Sequence, residues 1–249
     1  VKNPKFGYGK NLNPCIDCRI LMFKKAKELM EKEKFSFIIT GEVLNQRPKS
    51  QTLEALKIIE RETGLEGLIL RPLSAHFLPI TIPEKKGWVD REKLLSIRGR
   101  TRKQQIFFAD FFGIKDYPCP SGGCLLTDPI FSKKCKDILE FGEFNLENVN
   151  LLKIGKHFRI SPYLKLIIGR DENESKKLLN FKNEEDIVLI GGEKIIGILK
   201  GCKSDFSLFI SLRIFSKYVK NNEIVVERNN KKEKFIVKFL DEVPPSFLI

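Results

Sequence analysis

With 249 residues, 42% of them hydrophobic, the chain can bury one large core or two modest ones, and two domains are expected. Its 45 Lys and Arg against 32 Asp and Glu leave a formal charge of +13, which predicts an anionic partner, nucleic acid ahead of a membrane surface or a nucleotide pool. The lack of any apolar run of about 18 residues, and of a basic-then-apolar leader, argues against a membrane span or secretion and for a soluble, cytoplasmic protein with no membrane partner.

In chain order, Asp17 is placed to cap a helix from Cys18 to about Glu33, with Met22, Ala26, Leu29 and Met30 on one face. Phe35 to Thr40 reads as a buried strand. It ends in Thr40-Gly41-Glu42, at the carboxyl end where open parallel sheets place their ligand crevice. Ser50 is expected to cap a second helix carrying Leu53, Leu56 and Ile59, stopped by Gly64, before a short strand from Gly67 to Leu70. Strand, helix and strand at these lengths predict a parallel sheet with helical crossovers. A proline-containing loop, a short helix from Asp90 and a helix capped by Thr101 and ended by Gly113 follow. Tyr117 to Asp128 is a Gly- and Pro-rich loop, and a helix from about Pro129 to Phe141 closes the first domain.

After Gly142 the texture turns β-rich. Short runs at His157 to Ile160, Lys165 to Gly169, Ile187 to Ile190, Ile195 to Leu199, Ser207 to Ile214, Ile224 to Glu227 and Phe235 to Leu240 predict strands, with one helix near Glu172 to Leu179. This is an α+β module, with a boundary near residues 143 to 150.

Six cysteines without scaffold spacing read as metal or redox chemistry rather than as bridges. Cys15-Ile16-Asp17-Cys18 is a two-spaced pair at a helix start, where the helix dipole favours thiolates. Cys124 follows the glycines of Pro120-Ser121-Gly122-Gly123, whose backbone admits close approach of a ligand. Three such thiols can hold three irons of a four-iron, four-sulfur cluster and leave one iron open to sulfide; buried, inert cysteines are the plainer alternative. Cys135 and Cys202 are read as packing residues, and Cys119 as a redox partner or spare ligand. Gly41 to Gln46 with Ser50-Gln51-Thr52-Leu53 form a polar lip that is either an anion site or an ordinary βα loop. His76 and His157 have no triad or metal spacing and are read as surface or core residues.

Cys-x-x-Cys-Arg-x-x-Met at 15 to 22, Thr-Gly-Glu-x-Leu-x-Gln at 40 to 46, Ser-Gln-Thr-Leu at 50 to 53 and Leu-Arg-Pro-Leu at 70 to 73 together resemble the PP-loop domain of the tRNA 4-thiouridine synthetase (ThiI-like) family. The likeness spans roughly residues 13 to 130. Asn13-Pro14-Cys15, Gly41 through Pro48 and Pro120 through Asp128 are similar to a 2-thiouridylase-like subgroup. Gly155-Lys156-His157-Phe158-Arg159 and Lys165 through Arg170 resemble an NFACT-R type RNA-binding module. The resemblance implies an α/β fold: a partial PP-loop (adenine nucleotide alpha hydrolase-like) parallel-sheet domain over residues 1–145, then a small α+β RNA-binding domain over 146–249. It implies a tRNA sulfurtransferase that uses ATP and Mg2+ to adenylate a uridine oxygen and then transfers sulfur from sulfide or a persulfide-carrying protein.

By position, Arg19, Gly41 and Gln51 would contact the nucleotide. Cys15, Cys18 and Cys124 would be the catalytic thiols and the ligands of an iron-sulfur cluster, with persulfide chemistry at Cys124 as the other scheme. Lys156, Arg159 and Arg170 are expected to bind RNA. The Ser-Gly-Gly-x-Asp-Ser pyrophosphate loop of the family is not among these residues and the chain starts at Val1, so the ATP site is expected to be incomplete, with an N-terminal portion missing. A non-catalytic RNA-binding protein with a relic or structural-metal α/β domain is the competing expectation.

Overall fold

The computed structural model describes residues 1–117, 123–192, 194–201, 204–229, 231–238, 240 and 242–249. Cys119, Pro120, Ser121, Gly122 and Cys202, singled out above, lie outside the described residues. The chain divides into two compact units, Val1–Thr127 and Asp128–Ile249.

In the first unit, helix α1 (Cys15–Lys32) leads through strand β1 (Ile38–Ile39) to helix α2 (Leu53–Thr63) and strand β2 (Ile69–Leu70). The two strands pair in parallel, Ile38 with Ile69 and Ile39 with Leu70, so α2 is the crossover of a βαβ unit. α2 carries its own start and stop signals. Thr52, not Ser50, accepts the Ala55 amide at 3.2 Å, and Gly64 ends the helix with φ at +62°. Ala55, Leu56, Ile59 and Thr63 form its buried face.

α1 begins at Cys15, three residues before the expected start, because Asp17 does not cap it. The Asp17 carboxylate accepts the amides of Lys5 and Phe6 at 2.8 and 3.1 Å instead. The buried face of α1 is Ile16, Ile20, Phe23 and Met30, which join Ala55, Ile59, Leu65 and Ile69 in one core. Met22 and Leu29, expected on that face, are exposed. A short helix α3 (Ile82–Lys85) and a further helix α4 (Lys103–Phe111) complete the unit.

The second unit starts earlier than expected. Helix α5 (Pro129–Glu140), capped by Asp128, was assigned to the first domain, but its buried Asp137 accepts hydrogen bonds from Arg159 and Lys165 and places it in the second. After helix α6 (Leu146–Leu151) come β3 (Lys156–Ser161), β4 (Leu164–Ile168), α7 (Glu172–Leu179), β5 (Ile187–Gly191), β6 (Ile195–Lys200), α8 (Asp205–Val219), β7 (Glu223–Arg228) and β8 (Lys231–Ile236). The strands form one antiparallel sheet in the order β3-β4-β6-β5-β7-β8.

The segment Ser207 to Ile214, expected as a strand, lies within α8. Ser204 caps this helix by accepting the Ser207 amide at 3.2 Å, and its buried residues include Ser211, Leu212, Phe215 and Ser216. A short apolar run does not by itself distinguish a buried strand from a buried helix, and here the cap decides. Phe215 lies flat on the sheet only because Gly197 faces it: a Cβ there would come within 2.9 Å of the ring. The last strand, expected at Phe235 to Leu240, instead runs over Lys231–Ile236, where it pairs with β7; the other strands lie where expected, with Phe158, Leu166, Leu189 and Leu199 in the main core.

Arg159 anchors the second unit. Its Nε and Nη2 donate to Asp137 at 2.9 and 2.7 Å, Nη1 and Nη2 donate to Glu143 at 2.8 Å each, and its plane lies 4.4 Å from the Phe141 ring centroid. Burial pushes the Asp137 carboxyl up, but the bond from Arg159 and the charge of Lys165 outweigh it and hold the group below its ordinary value. Removing one partner of such a buried pair leaves the other charge uncompensated. Arg159→Ala is therefore expected to cost about 3 to 5 kcal/mol, read as a lower denaturant midpoint; an unchanged midpoint would contradict this role.

Candidate functional site

The carboxyl ends of β1 and β2 carry opposite charges, and those charges meet. Glu42 and Arg71, both buried, pair at 3.0 Å between Nε and Oε2. Arg71 Nη1 also donates to Glu60 on α2, and Arg19 on α1 sets its Nε 3.6 Å from Glu42 Oε1. One carboxylate and one guanidinium thus tie together two helices and both strand ends. The pairing leaves loose ends: Glu42 Oε1, Arg71 Nη2 and the side-chain oxygen of Gln51 are buried with no hydrogen-bond partner among the described residues. Buried polar atoms are rarely left so, and such orphans gather where a ligand or water completes them.

Gly41, immediately before Glu42, is exposed. Nothing lies within 4 Å of where a Cβ would sit, so neither packing nor backbone conformation calls for glycine there. The absent side chain keeps the strand end open, and Gly41 lines a cavity of about 990 Å³ together with Leu73, Gln105 and Phe108. Of the residues expected at a nucleotide, Arg19 lies beside Glu42, Gly41 lines the cavity, and Gln51 is buried with its side-chain oxygen unpartnered among the described residues. Glu42 and Arg71 had no role assigned from sequence. Their signal was available: two opposite charges just past two apolar strands, Arg71 directly after β2 and Glu42 three residues after β1.

The turn after Cys124 is fastened to the residues before the first two cysteines. Cys15 and Cys18 occupy the first turn of α1. The Leu12 amide donates to Leu126 O at 3.3 Å and Asn11 Nδ2 to Thr127 O at 2.8 Å, fastening the turn that follows Cys124 onto the residues that precede α1. Thr127 closes that turn, its amide and hydroxyl donating to Cys124 O at 2.9 and 2.7 Å.

Cys124 is then close enough to act electrostatically on Cys15. Burial pushes the Cys15 thiol up, the charge of Cys124 and then that of Cys18 push the same way, and Arg47 and Arg19 pull it down, leaving it raised. The Cys15 thiol donates to Asn13 Oδ1 at 2.8 Å. All-thiol donors suit iron or a persulfide. The described residues contain no group of three or more His, Cys, Asp or Glu already gathered as a metal site. Cys135 is buried, and burial pushes its thiol up to about 11, as befits a packing residue.

In the second unit the three residues expected at RNA part company. Lys156 is exposed, its Nζ 4.6 Å above the Tyr218 ring. Arg170 is exposed and pairs with Glu174, whose carboxyl is drawn down to about 2, chiefly by the Arg170 hydrogen bond. Arg159 is a correction: it is buried, with Nε, Nη1 and Nη2 all bonded within the protein, and has no free donor for a phosphate. Sequence clustering placed it at the surface, but it lies on the covered face of β3. Lys133 and Lys134 join Lys156, Arg170 and Tyr218 around a recess of about 360 Å³. Lys134, held down to about 8 first by burial and then by the charge of Arg170, donates to the Gly155 and Leu152 carbonyls. His157 is a buried core histidine, kept well below its ordinary pKa by burial, and His76 is exposed.

Comparison with known proteins adds two matches. Residues 9–76 match the family model described as Thiamine biosynthesis protein (ThiI), and residues 155–243 match NFACT protein RNA binding domain. The chain thus joins a ThiI-like segment to an NFACT-R-like one, and the β1–α2–β2 unit fits part of a PP-loop domain. No curated protein matches the sequence. Among solved structures, the C-terminal part of the fibronectin/fibrinogen-binding protein from Streptococcus suis is 11% identical over 94% of this chain and 99% of that one, with a TM-score of 0.31, too low to bear on the fold. No helix among the described residues is long and apolar enough to cross a membrane.

Exposure and thiol acidity set the expected order of alkylation. At pH 8, iodoacetamide should modify Cys18 and Cys124 first, Cys15 more slowly, and Cys135 only after unfolding, as read by peptide mass spectrometry. Rapid modification of Cys135 in the folded chain would contradict its placement.

Proposed function

We propose that the protein takes part in ATP-dependent thiolation of a tRNA uridine, with Cys15, Cys18 and Cys124 as its sulfur-handling group. The observation that carries this reading is the fastening of the turn after Cys124, through Leu126 and Thr127, onto Asn11 and Leu12 just before the helix that begins with Cys15 and Cys18, in the unit that contains the ThiI-like segment. The NFACT-R match and the basic recess at Lys133, Lys134, Lys156 and Arg170 support RNA as the partner.

The chemistry asks for two steps. A uridine carbonyl oxygen is a poor leaving group until it is bonded to phosphorus, so it first attacks the α-phosphorus of ATP and pyrophosphate departs. A sulfur nucleophile then adds at the activated carbon, and AMP leaves with the oxygen. Arg19, Gly41 and Gln51 would hold the nucleotide, the guanidinium meeting phosphate charge and the open glycine admitting the ligand's backbone-side approach. Mg2+ would neutralise the departing pyrophosphate. The sulfur comes from sulfide or from a persulfide-carrying protein.

A four-iron, four-sulfur cluster bound by Cys15, Cys18 and Cys124 would supply an open iron for exogenous sulfide. Without a cluster, Cys124, exposed on its turn, is the thiol best placed to receive a persulfide. The NFACT-R match also favours a second reading, RNA binding without catalysis.

Nucleoside mass spectrometry of bulk tRNA separates the two. Cells carrying Cys15→Ser, Cys18→Ser or Cys124→Ser in the chromosomal gene are expected to lose one thiolated uridine at least tenfold relative to wild type. Undiminished thiouridines in all three variants would leave only the RNA-binding reading.

A further inference from the structure

None of the residues of helix α4 is buried. Its outward side chains are aromatic, with Phe107, Phe111 and the adjoining Phe112 exposed by 63, 71 and 68%. The rings form a continuous ladder, Phe107 near-parallel to Phe111 at 6.4 Å, Phe108 to Phe112 at 6.5 Å, and Phe111 edge-on to Phe112 at 5.1 Å.

The segment leading into the helix reads Arg98-Gly99-Arg100-Thr101-Arg102-Lys103, and Arg100, Arg102 and Lys103 have no carboxylate partner among the described residues. Between residues 98 and 117 the acids are Asp110 and Asp116. Gln46 Nε2 donates to Gln105 Oε1 at 2.6 Å and ties the helix to the loop that follows Gly41. The cavity of about 990 Å³ runs between Gly41 and Arg102, Phe108, Phe112 and Tyr117, a volume suited to a nucleoside-sized ligand.

We propose that α4 and the basic segment before it are a docking surface for single-stranded RNA, which binds with its phosphates on Arg100, Arg102 and Lys103 and its bases stacked on Phe107, Phe111 and Phe112. This rests on the RNA reading above and gives the first unit its own contact with the nucleic acid. Exposed aromatics interleaved with unpaired cations are what an unstacked strand requires: every base has a face to stack and every linkage a charge to neutralise. An apolar protein partner would have to bury those cations without compensation. The surface also leads to the strand-end cavity, so a base that reaches the cavity arrives beside Gly41.

The test is fluorescence anisotropy of the full chain with a fluorescein-labelled oligouridine at several salt concentrations. Phe107→Ser/Phe111→Ser is expected to raise Kd about tenfold or more, in line with the loss of base stacking. Arg100→Ala/Lys103→Ala is expected to weaken binding and to make the slope of log K against log salt shallower by about 1.4, about 0.7 for each phosphate contact removed. Unchanged affinity in both variants, while Lys156→Ala in the second unit weakens binding, would overturn the proposal and leave the RNA reading standing. Wild-type chain that fails to bind the oligonucleotide would overturn both. A Phe107→Ser/Phe111→Ser variant that changes a dimer to a monomer by sedimentation, with affinity kept, would make this face a contact between copies of the chain and overturn the proposal as well.

Discussion

The Glu42–Arg71 pair is the constraint on which the first unit's site depends. A parallel pair of two-residue strands has little ladder of its own: Ile38 and Thr40 donate their amides to Leu68 O and Leu70 O at 2.9 and 3.0 Å, and beyond these the buried charges hold the carboxyl ends. Arg71 reaches Glu42 and Glu60, Glu42 reaches back to Arg19, and the helix that carries Arg19 begins at Cys15. The orientation of the cysteine helix and the opening at Gly41 therefore follow from one buried ion cluster. Such a cluster is expensive to desolvate, so it adds more to the definition of geometry than to stability.

The second unit solves a similar problem with Arg159, which fixes α5 and residue Glu143 against β3 and β4. There the charges are satisfied: each nitrogen of the guanidinium has a partner inside the protein. In the first unit Glu42 Oε1, Arg71 Nη2 and Gln51 Oε1 have no hydrogen-bond partner among the described residues, Arg19 standing 3.6 Å from Glu42 Oε1. Both clusters hold their unit's geometry, but only the first leaves buried polar atoms without a hydrogen bond among the described residues, as the proposed function requires of a site that takes a ligand.

Much of this was legible in the sequence where local chemistry decides. Gly64 stops α2, α5 starts at Pro129 as expected, and short β-rich runs mark β3 to β7, because stop signals and composition act over a few residues. Ser207 to Ile214 reads as a strand because a short, largely apolar segment broken by Ser211 and Arg213 fits either element, and the Ser204 cap identifies the helix. Asp17 was taken for a cap because a carboxylate near a helix start satisfies that pattern, whereas the loop amides of Lys5 and Phe6 compete for it. Arg159 looked like a surface cation, and only its tertiary partners Asp137 and Glu143, both earlier in the chain, explain its burial. Cys124 can be set beside Cys15 and Cys18 as a candidate from its residue type and loop glycines, and the family resemblance adds to that; the bonds from Leu12 and Asn11 to Leu126 and Thr127 are tertiary and leave no local mark in the sequence.

The central claim is that three thiols share one place at the head of α1. Dibromobimane, which becomes fluorescent on bridging two neighbouring thiols, measures this directly when the linked peptides are sequenced by mass spectrometry. A bridged product joining the Cys124 peptide to the peptide of Cys15 and Cys18 in the native chain, and its loss in urea, is the predicted result. Bridging confined to Cys15 with Cys18, with Cys124 labelled only singly, would contradict a common sulfur centre.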